Sequence, residues 1–198
     1  MDFLWGGGGR ERRWLCCLVP GIPRLRAHLA MAEAALAWAE EAVLVLPRAF
    51  PHKSPDGAAL EQRAVWLVAL AATRPGLAVA WSDGGLFIEM AREARRALSA
   101  RRVLLVCGRD AAERIVGWDY GVEDSIERHF GGSTNCWWRR GRLPIKPPAQ
   151  LAGRVHALHL GDGWHEVSSS EARARIAAGR AWESLVPAEI RESVRGAY

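Results

Sequence analysis

Three short apolar runs, residues 42–46 (AVLVL), 77–81 (LAVAW) and 103–107 (VLLVC), each follow a stretch whose apolar residues recur at helical spacing. Those stretches are 26–41, rich in Ala, Leu and Glu, then 58–73 and 86–98. An apolar run of this length without alternation is what a strand covered on both faces looks like, and such strands belong to parallel sheets crossed by helices. The chain is thereby constrained to an α/β architecture, a doubly wound parallel sheet with ligands expected beyond the carboxyl ends of the strands. Residues 47–57 read as a loop with two prolines and Asp56-Gly57; 155–160 reads as a further strand, followed by C-terminal helices over 170–178 and 187–195. Residues 1–25 and 131–148 have neither periodicity and read as irregular segments.

With 198 residues, 49% of them apolar and 25% charged, the chain fits one globular domain spanning 1–198. Its apolar runs are far shorter than the roughly 20 residues a membrane helix needs. The run 14–20 follows a basic patch at 10–13, but it is too short for a signal peptide and lacks a small-residue cleavage site. A cytoplasmic protein without a membrane partner is expected. The net charge of +5 is carried almost entirely by arginine, since Lys53 and Lys146 are the only lysines. These arginines are scattered and accompany no basic-aromatic module, which suits a phosphate-bearing small ligand better than a nucleic acid. Cys16, Cys17, Cys107 and Cys136 have neither the spacing of a metal site nor that of a disulfide framework.

Residues 167–173 (VSSSEAR) open a helix with hydroxyls at its start and an arginine one turn in. Serines before a helix are most often caps. With free N–H groups and a guanidinium beside them, they also form a place for a phosphate.

This run, continued by 174–179 (ARIAAG) and Leu185-Val186-Pro187, closely resembles the C-terminal motif of the nicotinate mononucleotide adenylyltransferases, within the nucleotidyltransferase superfamily of Rossmann-like fold. The likeness extends through His28 and its helix, the strand ending in Pro47, Pro51-His52-Lys53, Arg63 and residues 105–118 (LVCGRDAAERIVGW), in the family's order. It implies a single nucleotidyltransferase domain that transfers AMP from ATP to nicotinate mononucleotide in NAD synthesis. His28 resembles the second histidine of the family's His-x-Gly-His motif, which donates to the ATP phosphates. Ser168, Ser169 and Arg173 match the triphosphate positions, and Lys53 matches the family's basic phosphate-side residue. Gly108 and Asp110 resemble the turn that contacts the nucleotide; Trp118 resembles the aromatic that stacks on the pyridine ring. The catalytic set is then His28, Lys53 and Arg173. Mg2+ is expected to be held mainly by the ATP phosphates, without a protein metal site. Alternatives are an adenylyl- or cytidylyltransferase with another phosphorylated acceptor, or a non-catalytic nucleotide-binding relative.

The family's glycine-rich loop, which should end at His28, is degraded. Ala27 stands for its last Gly, Leu25 for its first His or Thr, Ile22 for Asp or Asn and Gly21 for Phe, leaving Pro23 and His28. Leu86-Phe87-Ile88-Glu89 stands where Ser/Thr-Tyr-Thr and an acid are usual. When each codon is read from the last base of its predecessor, residues 15–25 become compatible with the family pattern everywhere but at the Phe. The same shift turns 135–139 into an apolar strand. Two local frame slips in the coding sequence would account for both segments.

Overall fold

The computed structural model describes residues 1–6, 13–18, 25–49, 58–98, 102–117, 134–139, 149–160 and 169–197, with the strand path alone for 13–18 and 134–139. Seven strands form one sheet: β1 (Asp2–Trp5), β2 (Arg13–Leu18), β3 (Glu41–Pro47), β4 (Leu77–Ser82), β5 (Arg102–Cys107), β6 (Thr134–Arg139) and β7 (Val155–Leu158). They lie in the order β1-β4-β3-β2-β5-β6-β7. Strands β2 to β7 run parallel, and β1 pairs antiparallel with β4 at the edge. The helices are α1 (Leu25–Ala35), α2 (Leu60–Ala72), α3 (Phe87–Leu98), α4 (Arg109–Gly117), α5 (Ser169–Ala177) and α6 (Arg191–Arg195).

Strand β3 is buried along its whole length, and its residues sort by parity. Ala42, Leu44 and Leu46 join one core with Met31, Ala35, Trp66 and Leu70 of α1 and α2. Val43 and Val45 join another with Met90, Ala91, Ala94 and Leu98 of α3. In β5, Leu104 and Val106 belong to the first core, Val103 and Leu105 to the second, and Cys107 to a third beneath α4. Since successive strand side chains point to opposite faces, helices cover both sides of the sheet. That is why these strands read as unbroken apolar runs.

Helix α2 contains neither Gly nor Pro and ends before Arg74-Pro75-Gly76. Gly76 takes a φ of +84° and its carbonyl accepts the Ala42 N–H at 2.7 Å, so the turn leads the chain into β4. A Cβ there would lie 3.1 Å from Leu36 Cδ2.

Several expectations are corrected. The segments read as irregular contain β1, β2 and β6, because backbone pairing holds a strand whatever its periodicity: β2 and β6 are paired on both sides and β1 on one, at the edge. β2 pairs Leu15 with Ala42 on one side and with Leu104 on the other. The helix expected over 26–41 ends at Ala35, where the chain turns before entering β3 at Glu41. The last helix is shorter than expected: Pro187 opens a 3₁₀ turn over Ala188–Ile190, and α6 begins after it. Strand β7 stops at Leu158.

Candidate active site

The order of the sheet reverses at β2: β3 and β4 step away on one side, β5 to β7 on the other. Such a reversal leaves a crevice at the carboxyl ends of the two central strands, where open α/β sheets hold their ligands. Helix α1 precedes β3 and packs against β2, β3, β5 and β7. His28 lies in its first turn, 7% exposed, between buried Ala27 and Leu29. Next to it, Arg26 Nη1 donates to the carbonyl of Ser184, tying the start of α1 to the segment that follows α5.

On the other side of the crevice β5 ends at Cys107, and Gly108 opens α4. Its carbonyl accepts the N–H groups of Ala111 and Ala112 at 3.1 and 3.0 Å. Asp110 lies in the first turn of α4, where amides without a helical partner collect.

Helix α5 begins at Ser169 and is anchored by fully buried Ala172 and by Ile176, which packs on the core beneath α1 and α2. Its arginines differ. Arg175 Nε donates to Glu171 Oε1 at 2.7 Å, and that bond above all holds the Glu171 carboxyl below its ordinary range. Arg173 is half-buried and, among the described residues, makes no hydrogen bond or ion pair.

The structure thus brings His28, Gly108 and Asp110 to helix starts beside the two central strands, and puts Ser169 and Arg173 on α5. Lys53, Trp118 and Ser168 lie outside the described residues. Among the described residues no three His, Cys, Asp or Glu side chains form a metal-binding group. No described helix is long and apolar enough to cross a membrane.

Sequence reasoning missed the corner between β4 and α3. Gly85 N–H and Leu86 N–H both donate to Glu89 Oε2 at 2.9 Å. Glu93 accepts from Ser82 Oγ at 2.9 Å, Gly84 N–H at 2.8 Å and Asp83 N–H at 3.2 Å, with the Met1 ammonium at 3.2 Å. Burial raises the Glu93 carboxyl, but the bonds from Gly84, Ser82, Met1 and Asp83 outweigh it and hold the group below its ordinary range. Arg48, just past β3, lies over the Trp81 ring at 5.0 Å and pairs with Asp83 at 3.2 Å and Asp2 at 2.8 Å. The signal was present as Gly84-Gly85 with acids four and eight positions beyond Gly85, a loop that needs acceptors for its own amides.

No family model matches the chain. It is 27% identical over 197 aligned positions, spanning 84% of this chain and 87% of the relative, to a probable nicotinate-nucleotide adenylyltransferase of Stenotrophomonas maltophilia (strain K279a). The chain resembles the nicotinate-nucleotide adenylyltransferases along most of its length.

Proposed function

We propose that the protein transfers the AMP moiety of ATP to nicotinate mononucleotide, releasing pyrophosphate, in NAD biosynthesis. The observation that carries this reading is the length-wide likeness to a relative bearing that activity in its name. The sheet supports it: its parallel strands follow the order of Rossmann-like, doubly wound sheets, which bind nucleotides at the reversal.

In this reaction the acceptor phosphate attacks the α-phosphorus of ATP in line, and pyrophosphate leaves with no covalent enzyme intermediate. Charge builds on phosphoryl oxygens, so catalysis rests on positioned donors rather than on a nucleophile and its base. His28, at the start of α1, donates to the phosphates. Arg173, with Ser168 and Ser169, neutralises the leaving pyrophosphate, and Lys53 serves the same charge. Gly108 and Asp110 border the nucleotide, and Trp118 stacks on the acceptor ring. Mg2+ would arrive with ATP, held mainly by its phosphates, and would neutralise part of their charge. The donor set here, rich in cations and helix starts, fits that division of labour.

A second reading, a non-catalytic nucleotide-binding relative, is favoured by Ile22, Leu25 and Ala27 in place of the small and polar residues of the family's phosphate loop. Pyrophosphate release from ATP, measured with a panel of mononucleotides, separates the two. Release that depends on nicotinate mononucleotide is expected. ATP binding without release for any acceptor would favour the second reading.

A further inference from the structure

Helix α1 and the segment after α5 stand on one core, Leu29, Met31, Ala32 and Ala35 from the helix and Trp182 and Val186 from the segment. That core takes α1 from Leu29 onward, whereas His28 belongs to the turn before it. Across that turn Arg26 Nη1 donates to the Ser184 carbonyl, a bond between positions 158 apart in the chain. Residues two apart on a helix point roughly 200° from each other. Arg26 is accordingly exposed where His28 is buried, so Arg26 holds the outside of the turn that carries His28.

The acceptor of that bond is held from both sides. Ser184 is the middle residue of a 3₁₀ turn over Glu183–Leu185. Trp182 before it and Val186 after it are buried; Leu185 N–H donates to the Trp182 carbonyl at 2.8 Å, and Arg191 Nε to the Val186 carbonyl at 3.1 Å. Glu183 Oε2 accepts the Trp182 N–H at 3.0 Å, and Arg195 lies over the Trp182 ring at 5.9 Å. The same turn is joined to α5 by a short link. Gly179 takes a φ of +60° just past that helix, and Arg180 N–H returns to the Arg175 carbonyl at 2.8 Å. A left-handed residue with a bond back into the last turn closes a helix tightly. Through Ser184, Arg26 therefore grips a fixed extension of the helix that carries Arg173.

We propose that Arg26 is a positioning residue for ATP, holding His28 at a set distance from α5 through the Ser184 carbonyl. This rests on the adenylyltransferase reading above, in which His28 and Arg173 act on one triphosphate. Donors on two separate helices serve one transition state only while their spacing holds, and a misplacement of about 1 Å can cost on the order of a hundredfold in rate. Arg26 acts on a carbonyl at the far side of the turn and touches no substrate.

The test is steady-state pyrophosphate release by wild type, Arg26→Ala, Arg26→Lys, His28→Ala and the Arg26→Ala/His28→Ala pair, together with NMR of the His28 ring. Arg26→Ala is expected to lower kcat about tenfold and to leave the KM for nicotinate mononucleotide within about twofold. Arg26→Lys, which keeps one donor for the carbonyl, is expected to recover most of that loss. In the His28→Ala background, Arg26→Ala is expected to cost less than about twofold, because the group it positions is gone. The His28 ring resonances are expected to shift in Arg26→Ala and to return in Arg26→Lys, a readout that stands where turnover is too slow to measure. An unchanged kcat in Arg26→Ala, the same fold loss with and without His28, or unmoved His28 resonances overturns the positioning role and leaves the activity standing. A wild type that makes no dinucleotide overturns the activity itself and this role with it.

Discussion

Arg173 and Arg175 stand two positions apart on α5 and meet different surroundings. Arg175 is engaged by Glu171, and its Nη1 lies 3.4 Å from the Ala181 carbonyl; Arg173 has no such partner among the described residues. Arg173→Ala is expected to raise the barrier to adenylyl transfer by about 2 to 4 kcal/mol, the cost of one donor to developing phosphoryl charge. Arg175→Ala should change turnover little, since an exposed ion pair contributes little to stability. Pyrophosphate release by the two variants checks this, and equal losses would remove Arg173 from the site. A second residue-scale case is Ser193, whose hydroxyl oxygen accepts from Trp66 Nε1 at 2.7 Å and Gln62 Nε2 at 3.1 Å. Trp66 is 1% exposed. Ser193→Ala leaves its indole N–H buried without that acceptor and is expected to cost about 1 to 3 kcal/mol in urea unfolding.

Among the elements, the β4–α3 corner has an acid-sensitive hold. The folded Glu93 carboxyl titrates below its unfolded counterpart, so its contribution is complete above the ordinary glutamate value and is lost as pH falls through the lower, folded value. Urea midpoints are expected to be flat from neutrality to about pH 5 and to fall below about pH 4, with a shallower fall in Glu93→Gln. Parallel acid profiles would deny Glu93 that part. Legibility differed among elements for physical reasons. Strands β3, β4 and β5 were readable because both of their faces are covered, and α2 and α3 because each has one apolar face. Strands β2 and β6 were not, since Arg13, Trp14, Thr134 and Asn135 blur the pattern and neighbouring strand edges supply the order. Of the candidate site residues, His28, Gly108, Asp110 and Arg173 are legible only through family likeness. Glu93 is not legible, because its work is done on backbone amides.

For the molecule as a whole, the sheet survives where the phosphate loop of the family does not. Strand information at 42–46, 77–81 and 103–107 is intact, whereas Ile22, Leu25 and Ala27 stand where a phosphate loop would use glycine or small polar residues, the types that let a backbone approach a phosphate closely. The chain as it stands is expected to turn over well below about 1 per second, the low end of ordinary enzymes, and a version with the codon register restored over 15–25 to exceed it. Equal rates for the two would dismiss the frame-slip reading, as would peptide masses matching the shifted register nowhere in 14–26.

The pairing of β2 carries one more consequence. Leu15 meets Ala42 early in the chain, but its other neighbour is Leu104. On a ribosome, the first wall of the crevice is available while α2 and α3 are still being made, and the second cannot join until β5 has emerged. During that interval β2 has one open flank, with the amides of that single edge unpaired. It is the stretch of synthesis in which a nascent chain of this design most needs shielding from its neighbours.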